Sequence, residues 1–241
     1  SMPPDPAIVG EGWRATWLAR LRGQRFMLRD WAGHQRRDAY WKHGSVCEDH
    51  GAIQAAVYAI GGWEDGYANT VPMLLAGLNA PCKGLIGPWG HAFPHDAYPG
   101  PSIGYLQEAL RWWDRWLKGR DTGIDREPML RVWMQERVEP QPFVPERPGR
   151  WVAEATWPSP RIEPRTLHLS GAQTLADVPA APASLRICSP QTTGLGGGDW
   201  CGFGGEGEAP LDQRADDGKS LCFDAPALSE PLELLGAPEL D

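Results

Sequence analysis

The sequence predicts an α/β protein in which a parallel sheet with packed helices is followed by the beginning of an all-β segment. Two short apolar runs, at residues 52–60 and 82–86, are each stopped by glycine, and a helical pattern lies between them. A longer helical pattern follows at 102–118, and after about residue 140 only short β-like pieces remain between Gly- and Pro-rich loops. A strand–helix–strand order with short links predicts parallel strands, and the later change in composition predicts a second, all-β part.

The first region of the chain is predicted to be helical. Trp13, Trp17 and Leu21 recur at helical spacing within residues 12–30, with basic residues between them. The region up to about Cys47 is rich in Trp, Arg and His and has no pattern typical of a strand. A helical segment therefore precedes the predicted sheet.

The strand–helix–strand unit comes next. Its first apolar run stops at Gly61-Gly62, and a mostly apolar run of this length is typical of a strand buried on both faces. Asn69 or Thr70 can cap the following helix, which is expected to end near residues 79–81. The second apolar run then supplies a strand parallel to the first.

The long helical pattern carries one apolar stripe, formed by Ile103, Leu106, Leu110, Trp113 and Leu117. Lys118 and Gly119 are typical of a helix C-terminus. Residues 129–135 alternate like another strand. A proline-rich connector begins near residue 140, and short β-like pieces follow at 166–169 and 220–223. The tandem Trp112-Trp113 is expected to pack against the sheet.

Charge and composition exclude several classes of partner. Of the 241 residues, 31 are acidic and 23 are basic, which gives a formal net charge of -8. Without a basic stripe, nucleic acid is not an expected partner. No apolar run reaches the length of a membrane span, so no membrane partner is expected either. The hydrophobic fraction of 41% predicts a folded core.

The cysteines indicate neither a disulfide scaffold nor a zinc site. They are odd in number, widely spaced and without a C-x-x-C pair: Cys47, Cys82, Cys188, Cys201 and Cys222. Free thiols of a reducing compartment such as the cytoplasm are expected, and no metal or other cofactor is predicted.

Groups suited to acid–base chemistry follow the two predicted parallel strands. Glu64 and Asp65 come after the first strand, and His91 comes after the second. Ligands of open α/β sheets bind beyond the carboxyl ends of the strands, so these loops should meet and a carboxylate could orient the imidazole. Alternatively, Asp65 caps the next helix and His91 packs in a loop. Trp63 and Trp89 lie beside these residues and could form either core or the wall of a substrate pocket.

The stretch GPSIG, residues 100–104, fits the G-x-S-x-G pattern of a serine nucleophile. Such a turn needs a strand before it and a helix after it, but a loop with three prolines precedes Ser102. The serine also follows His91, which is the wrong chain order. Ser102 is therefore predicted to be a helix N-cap.

Two further patterns also lack the context that their chemistry needs. GFGGEG, residues 202–207, has neither a strand before it nor a helix after it, which favours a flexible loop over a dinucleotide site. His91 and His95 are spaced like zinc ligands on a helix, but Pro94 lies between them. A metal hydrolase that uses this pair remains an alternative.

Several motifs in order resemble the cocaine esterase / X-Pro dipeptidyl-peptidase (CocE/NonD-type) family of serine hydrolases. They are GGWEDGY, GPWGH and the helix ALRWWDRWLKG, with LDQR and LSEPLELLGAPEL later in the chain. The resemblance implies the C-terminal portion of an α/β-hydrolase that leads into an incomplete β-sandwich (jelly roll). Residues 1–46 would then end a helical cap, 47–145 would form the C-terminal half of the hydrolase core, and 146–241 would hold a linker and the start of the jelly roll.

The resemblance also implies roles for individual residues. Asp65 would be the acid and His91 the base of a Ser-His-Asp triad, and Tyr67 would lie at the acyl pocket. Trp63 and Trp89, which lie beside the proposed acid and base, are the other candidate substrate-binding residues. The family's nucleophile serine belongs upstream of the cap and has no counterpart here, so the chain alone is expected to be inactive.

The predicted function is therefore part of a serine hydrolase that cleaves ester or amide bonds, including X-Pro dipeptidyl bonds, in a small-molecule substrate. The alternative is a non-catalytic binding or interaction fragment that keeps the hydrolase scaffold. Exposed apolar surface on such a fragment would favour a homo-oligomer.

Overall fold

The computed structural model describes residues 2–240, which divide into two compact units, one up to Asp49 and one from His50 onward. The first unit is helical, as predicted for residues 12–30, although Gln24 is extended and divides that stretch into two helices. Its α-helices are α1 (Pro6–Val9), α2 (Trp13–Gly23), α3 (Met27–Gly33) and α4 (Ala39–Lys42), with 3₁₀ turns at Gly10–Gly12 and Val46–Glu48.

The second unit contains a four-stranded mixed sheet in the order β1-β2-β3-β4. Strands β1 and β2 are parallel, β2 and β3 are parallel, and β4 is antiparallel to β3. The strands and the helix α5 that joins the first two are β1 (Val57–Gly62), α5 (Thr70–Gly77), β2 (Cys82–Gly87), β3 (Leu130–Gln135) and β4 (Gly149–Glu154). The predicted strand–helix–strand unit and its parallel pairing are confirmed.

Burial along the first strand differs from the prediction. Strand β1 was predicted to be buried on both faces, but it lies at the edge of the sheet and only Gly62 in it is buried. Strand β2, between β1 and β3, is buried from Lys83 to Gly87. An edge strand has a neighbour on one side only, which leaves its side chains partly accessible.

Side chains of β2 alternate between two core clusters on opposite faces of the sheet. Ile86 joins Val71 and Leu75 of α5 in one cluster. Leu85 joins Trp89 and Ala97, beyond the strand, in the other. This alternation is the period-2 pattern of a strand, and it covers both faces of β2.

Helix α6 (Tyr105–Lys118) packs on the Leu85 face through a polar network. Glu108 on α6 accepts a hydrogen bond from the Tyr58 hydroxyl (2.7 Å) and pairs with Arg131 of β3. Burial raises the pKa of Tyr58, so its hydroxyl stays a donor. Trp112 is buried against Tyr58, as predicted for packing on the sheet, whereas Trp113 is half exposed.

The apolar stripe of α6 faces solvent. Its members on the helix are all more than half exposed: Leu106, Leu110, Trp113 and Leu117. The side of α6 that contacts the sheet is the one that carries the Glu108 network, so the stripe points the other way. The helix ends at Lys118 with Gly119 in the left-handed conformation, as predicted.

The prediction that Ser102 caps α6 is wrong. The N-cap is Gly104, without a side-chain cap, and Ser102 lies exposed before the helix. Ile103 packs on the Leu85 cluster, and its amide donates to the Pro94 carbonyl (2.9 Å). Because Ile103 is anchored in this way, the residues before it stay in a loop and the helix begins only at Tyr105.

The remainder of the chain has little regular structure. Strands β5 (His168–Leu169) and β6 (Leu175–Ala176) pair antiparallel, Thr174 bridges to Asp224, and α7 (Arg214–Asp217) is a single turn, with further 3₁₀ turns at His50–Ala52 and Ile124–Arg126. The jelly-roll assignment and the three domain boundaries therefore stay predictions. Within residues 2–240, the helices are too short or too polar to cross a lipid bilayer.

Candidate active site

The two loops predicted to carry the chemistry begin side by side. Gly62 at the end of β1 and Gly87 at the end of β2 are register partners. Beyond them, the Trp63 amide donates to the Gly87 carbonyl (2.9 Å) and the Glu64 amide donates to the Trp89 carbonyl (3.1 Å). Strand pairing therefore continues into the loops and fixes their separation.

Asp65 and His91 are in hydrogen-bond contact. The Oδ2 atom of Asp65 lies 3.0 Å from Nδ1 of His91. The other carboxylate oxygen, Oδ1, accepts the Tyr67 amide (2.9 Å), so Asp65 also stabilises the turn before α5. Asp65 is therefore both the partner of His91 and a residue of the turn that follows β1. The alternative that Asp65 caps the next helix is wrong, because α5 begins at Thr70 with Asn69 as its N-cap.

Asp65 is mostly buried, whereas His91 is partly exposed. The Asp65 side chain is 13% exposed, whereas the His91 side chain is 44% exposed. With a carboxylate at Nδ1, that nitrogen carries the proton and donates a hydrogen bond to Asp65, which leaves Nε2 as the acceptor. A neutral imidazole held in this tautomer is equipped to take a proton from a nearby hydroxyl group.

A Gly-rich loop covers part of the pair. The His91 amide donates to the Gly202 carbonyl (2.6 Å), and the Phe203 ring meets the imidazole edge-on with 5.4 Å between centroids. The Tyr67 ring lies 5.8 Å from the imidazole between centroids, and 5.3 Å from the Trp200 ring. Aromatic rings from two distant parts of the chain therefore surround the exposed base.

A groove of about 570 Å³ opens at His91. Trp89 forms part of its wall and is 1% exposed, with its indole N–H donating to the Pro101 carbonyl (2.9 Å). The groove is lined by residues of both strand-end loops and of the start of α6, among them Ile60, Asp65, Phe93, Asp96, Tyr105 and Phe203. Its walls are mainly apolar or aromatic, with the Asp65–His91 pair on one side.

Trp63 does not line the groove at His91. Its indole N–H donates to the Trp133 carbonyl (2.7 Å), and the side chain packs on the α5 cluster while also lining a second cavity of about 250 Å³. The neighbouring Glu64 pairs with Arg147 (2.6 Å) and does not contact His91. Asp65, and not Glu64, is thus the carboxylate that meets the imidazole.

Ser102 is not among the residues that line the groove. A loop with a single β-bridge, at Gly100, precedes Ser102 in place of a strand. His95 is also separate from the pair, because its ring stacks on Tyr105 with planes 7° apart. Among the described residues, one group has three metal-ligating side chains close together, and it consists of Asp65, His91 and Cys201. The alternative of a His91–His95 zinc pair is therefore not supported.

Sequence reasoning missed Arg147 and the loop around Cys201. Arg147 follows a proline-rich stretch, and the loop from 196 to 205 is nearly all glycine, aromatic and polar residues. Neither segment shows a hydrophobic periodicity from which its position beside the strand ends could have been predicted. Only the spacing of Asp65 and His91 after their strands carried a positional signal.

Comparisons with known proteins identify the family that the chain resembles. The family model of the X-Pro dipeptidyl-peptidase (S15 family) matches residues 6–93, and that of the X-Pro dipeptidyl-peptidase C-terminal non-catalytic domain matches residues 122–241. Asp65 and His91 both lie in the first match, and Cys201 lies in the second.

Two curated relatives, from Mycobacterium bovis and Mycobacterium tuberculosis, both carry the name "putative serine esterase". Each is 31% identical over 209 residues, which is 82% of this chain and 30% of the relative. The chain thus spans less than a third of their length. A CocE/NonD family hydrolase from Staphylococcus aureus superposes with a TM-score of 0.51 at 14% identity, over 70% of this chain and 28% of that protein, which indicates a shared fold.

Proposed function

Because the chain belongs to the CocE/NonD and X-Pro dipeptidyl-peptidase family of hydrolases, we propose that it supplies the acid and the base of a Ser-His-Asp triad. The observation that carries the proposal is the contact of 3.0 Å between Asp65 Oδ2 and His91 Nδ1 at the carboxyl ends of adjacent parallel strands. The nucleophilic serine would come from a part of the parent protein outside these 241 residues.

In this proposal the reaction follows acyl transfer. His91 Nε2 takes the proton of the serine hydroxyl as its oxygen attacks the carbonyl carbon of an ester or amide. The imidazolium then gives that proton to the departing alcohol or amine, which leaves an acyl-enzyme. Water attacks the acyl-enzyme by the same steps, and the serine is restored. Asp65 keeps Nδ1 protonated and stabilises the positive charge on the ring in both halves.

The groove supports a small-molecule substrate with an apolar acyl part. Phe93, Tyr105 and Phe203 line it beside the base, and ligand sites of this kind combine apolar walls with a few polar groups. Within the proposal, Trp89 forms the groove wall, Tyr67 borders the acyl group near the imidazole, and Trp63 supports the loop of the acid. The substrate is an ester or an amide, with X-Pro dipeptidyl bonds included.

His91→Ala and His95→Ala in the full-length hydrolase form a matched pair for testing the triad. Both histidines lie in the same loop, but only His91 contacts Asp65. Loss of the base should lower kcat for a nitrophenyl ester by about 10³-fold or more, while His95→Ala should stay within a few-fold of wild type. Equal activity of His91→Ala and wild type would remove the triad assignment.

Labelling of this chain with a fluorophosphonate tests where the nucleophile lies. We expect no adduct on Ser102, located by mass spectrometry, beside a reactive serine hydrolase as control. A stoichiometric adduct on Ser102 would contradict the proposal that the nucleophile lies elsewhere. Full activity without His91, together with no labelling of the full-length protein, would instead favour the non-catalytic binding fragment.

A further inference from the structure

The ligand atoms of Asp65, His91 and Cys201 all lie within 4.8 Å of one another. The proposed triad uses the first two side chains and leaves the thiol without a role. We infer that these three side chains form a binding site for a single divalent zinc ion. Carboxylate, imidazole and thiolate are the three ligand types that zinc takes in proteins.

The spacing of the donors is close to that of a tetrahedral zinc site. With zinc–nitrogen and zinc–oxygen distances of about 2.0 Å, two such ligands are about 3.3 Å apart, and a sulfur at about 2.3 Å lies about 3.5 Å from either. Asp65 Oδ2 and His91 Nδ1 are already 3.0 Å apart. Because the ligand atoms of the three side chains lie within 4.8 Å of one another, the Cys201 sulfur has to approach by at most about 1.3 Å to reach such a distance.

The backbone holds the three donors in place from separate segments. Asp65 and His91 follow β1 and β2, and the loop of Cys201 is fixed by the hydrogen bond from the His91 amide to the Gly202 carbonyl (2.6 Å). That approach requires glycine at position 90, because a Cβ there would lie 2.7 Å from the Gly202 oxygen. Cys201 is therefore held next to the residue with which it would share the ion.

The ligand set favours zinc over harder cations. Mg²⁺ and Ca²⁺ select sites built from oxygen, whereas this site offers one nitrogen and one sulfur. A fourth coordination position stays open to water.

Zinc would also occupy the place of the proton that Asp65 and His91 share. The ring could then no longer cycle between neutral and protonated forms, so Zn²⁺ would inhibit the hydrolase. This consequence rests on the proposed function, but zinc binding itself does not, and it can be measured with the chain alone.

The test is calorimetric titration of the purified, reduced chain with Zn²⁺, for wild type, Cys201→Ser and Cys188→Ser. Both variants remove one thiol, but Cys188 is exposed and lies outside the cluster. Wild type and Cys188→Ser should bind one ion per chain, and Cys201→Ser should bind roughly tenfold or more weakly. Equal affinity of Cys201→Ser and Cys188→Ser would overturn the inference, and so would displacement of the ion by equimolar Mg²⁺.

Substitution with Co²⁺ gives a readout that does not depend on affinity. A thiolate ligand produces a charge-transfer band with Co²⁺, which Cys188→Ser should keep and Cys201→Ser should lose. His91→Ala should weaken binding while His95→Ala should not, so the assignment does not depend on the folding of a single variant. Loss of ester hydrolysis in His91→Ala without any zinc binding by wild type would remove the zinc site and leave the triad in place.

Discussion

Gly62→Ala should separate the two loops that hold the acid and the base. A Cβ at Gly62 would lie 1.9 Å from the carbonyl oxygen of Trp89 and 2.6 Å from its carbonyl carbon. Ordinary van der Waals contact begins near 3.4 Å, so the two backbones must move apart by about 1.5 Å. Both obstructing atoms belong to the main chain, and no side-chain rotation can relieve the contact.

The expected loss of unfolding free energy in Gly62→Ala follows from the contacts that the added methyl group changes. Forcing an extra methyl group into a well-packed site costs about 1–3 kcal/mol of unfolding free energy. Moving the loops apart also breaks the hydrogen bond from the Glu64 amide to the Trp89 carbonyl, for about 1 kcal/mol more. We therefore expect Gly62→Ala to lower the unfolding free energy by about 2–4 kcal/mol.

Gly61→Ala is the matched control. A Cβ there meets only a methyl group of Val71 at 3.1 Å, which can give way by a few tenths of an ångström. Its cost should stay below about 1 kcal/mol. Urea unfolding followed by circular dichroism compares the two variants, and equal midpoints would refute the reasoning. In the full-length hydrolase, Gly62→Ala should also lower kcat by about 10²-fold, because a displacement of 1 Å is enough for such a loss.

Two further predictions concern carboxylates. Asp65→Asn keeps an acceptor for the Tyr67 amide but no longer fixes the imidazole tautomer. The kcat of the full-length hydrolase should therefore fall about 10⁴-fold, while the urea midpoint stays nearly unchanged. A loss of kcat below tenfold would count against the triad. The Arg161 hydrogen bonds hold the pKa of Glu154 below its ordinary value of 4.5, so Glu154 contributes stability above that pH and loses it as the pH falls through the lowered pKa. Glu154→Gln should therefore lower the unfolding free energy by about 1 kcal/mol at neutral pH, and by less below pH 4, in thermal unfolding. Glu206→Gln, at an exposed site, should leave the unfolding free energy unchanged. A loss of stability in Glu154→Gln that does not depend on pH would contradict this account.

The strand–helix–strand unit could be predicted because its two strands are short, mostly apolar runs that each end at glycine. Strand β4 could not, since it follows a proline-rich stretch and its sequence, GRWVAE, does not alternate between apolar and polar residues. Its place in the sheet comes from pairing along the whole of β3, in which Val132 lies opposite Val152. That partner is not visible in the local pattern.

Helix α6 shows a second limit of periodicity. Its apolar stripe predicted the helix and its end correctly, but not the face that contacts the sheet. That face is set by ion pairs and hydrogen bonds between α6 and its surroundings, in which Glu108 meets Arg131 and Arg111 meets Glu127. Hydrophobic patterning contains no information on such polar contacts, so the stripe alone could not tell which side is buried.

The candidate site was predictable only where the topology fixes it. Asp65 and His91 each follow one of two adjacent parallel strands, so their meeting follows from strand order. Cys201 reaches the same place through a Gly-rich loop without regular structure, and nothing in its neighbours indicated that position. The position of the acid–base pair is thus set by the strand order of the sheet, whereas the position of the third proposed ligand, Cys201, is set by the packing of a loop.

The proposed hydrolysis and the proposed zinc binding use the same two side chains. Asp65 Oδ2 and His91 Nδ1 can share a proton or a zinc ion but not both at once, so hydrolysis and metal binding are competing states of one pair. Zinc binding releases protons from its ligands, so a higher pH favours the metal-bound state. Because Cys201 belongs only to the metal site, Cys201→Ser should relieve zinc inhibition of the hydrolase without changing kcat in the absence of metal. A variant at either member of the pair cannot separate the two states, since each member is needed for both.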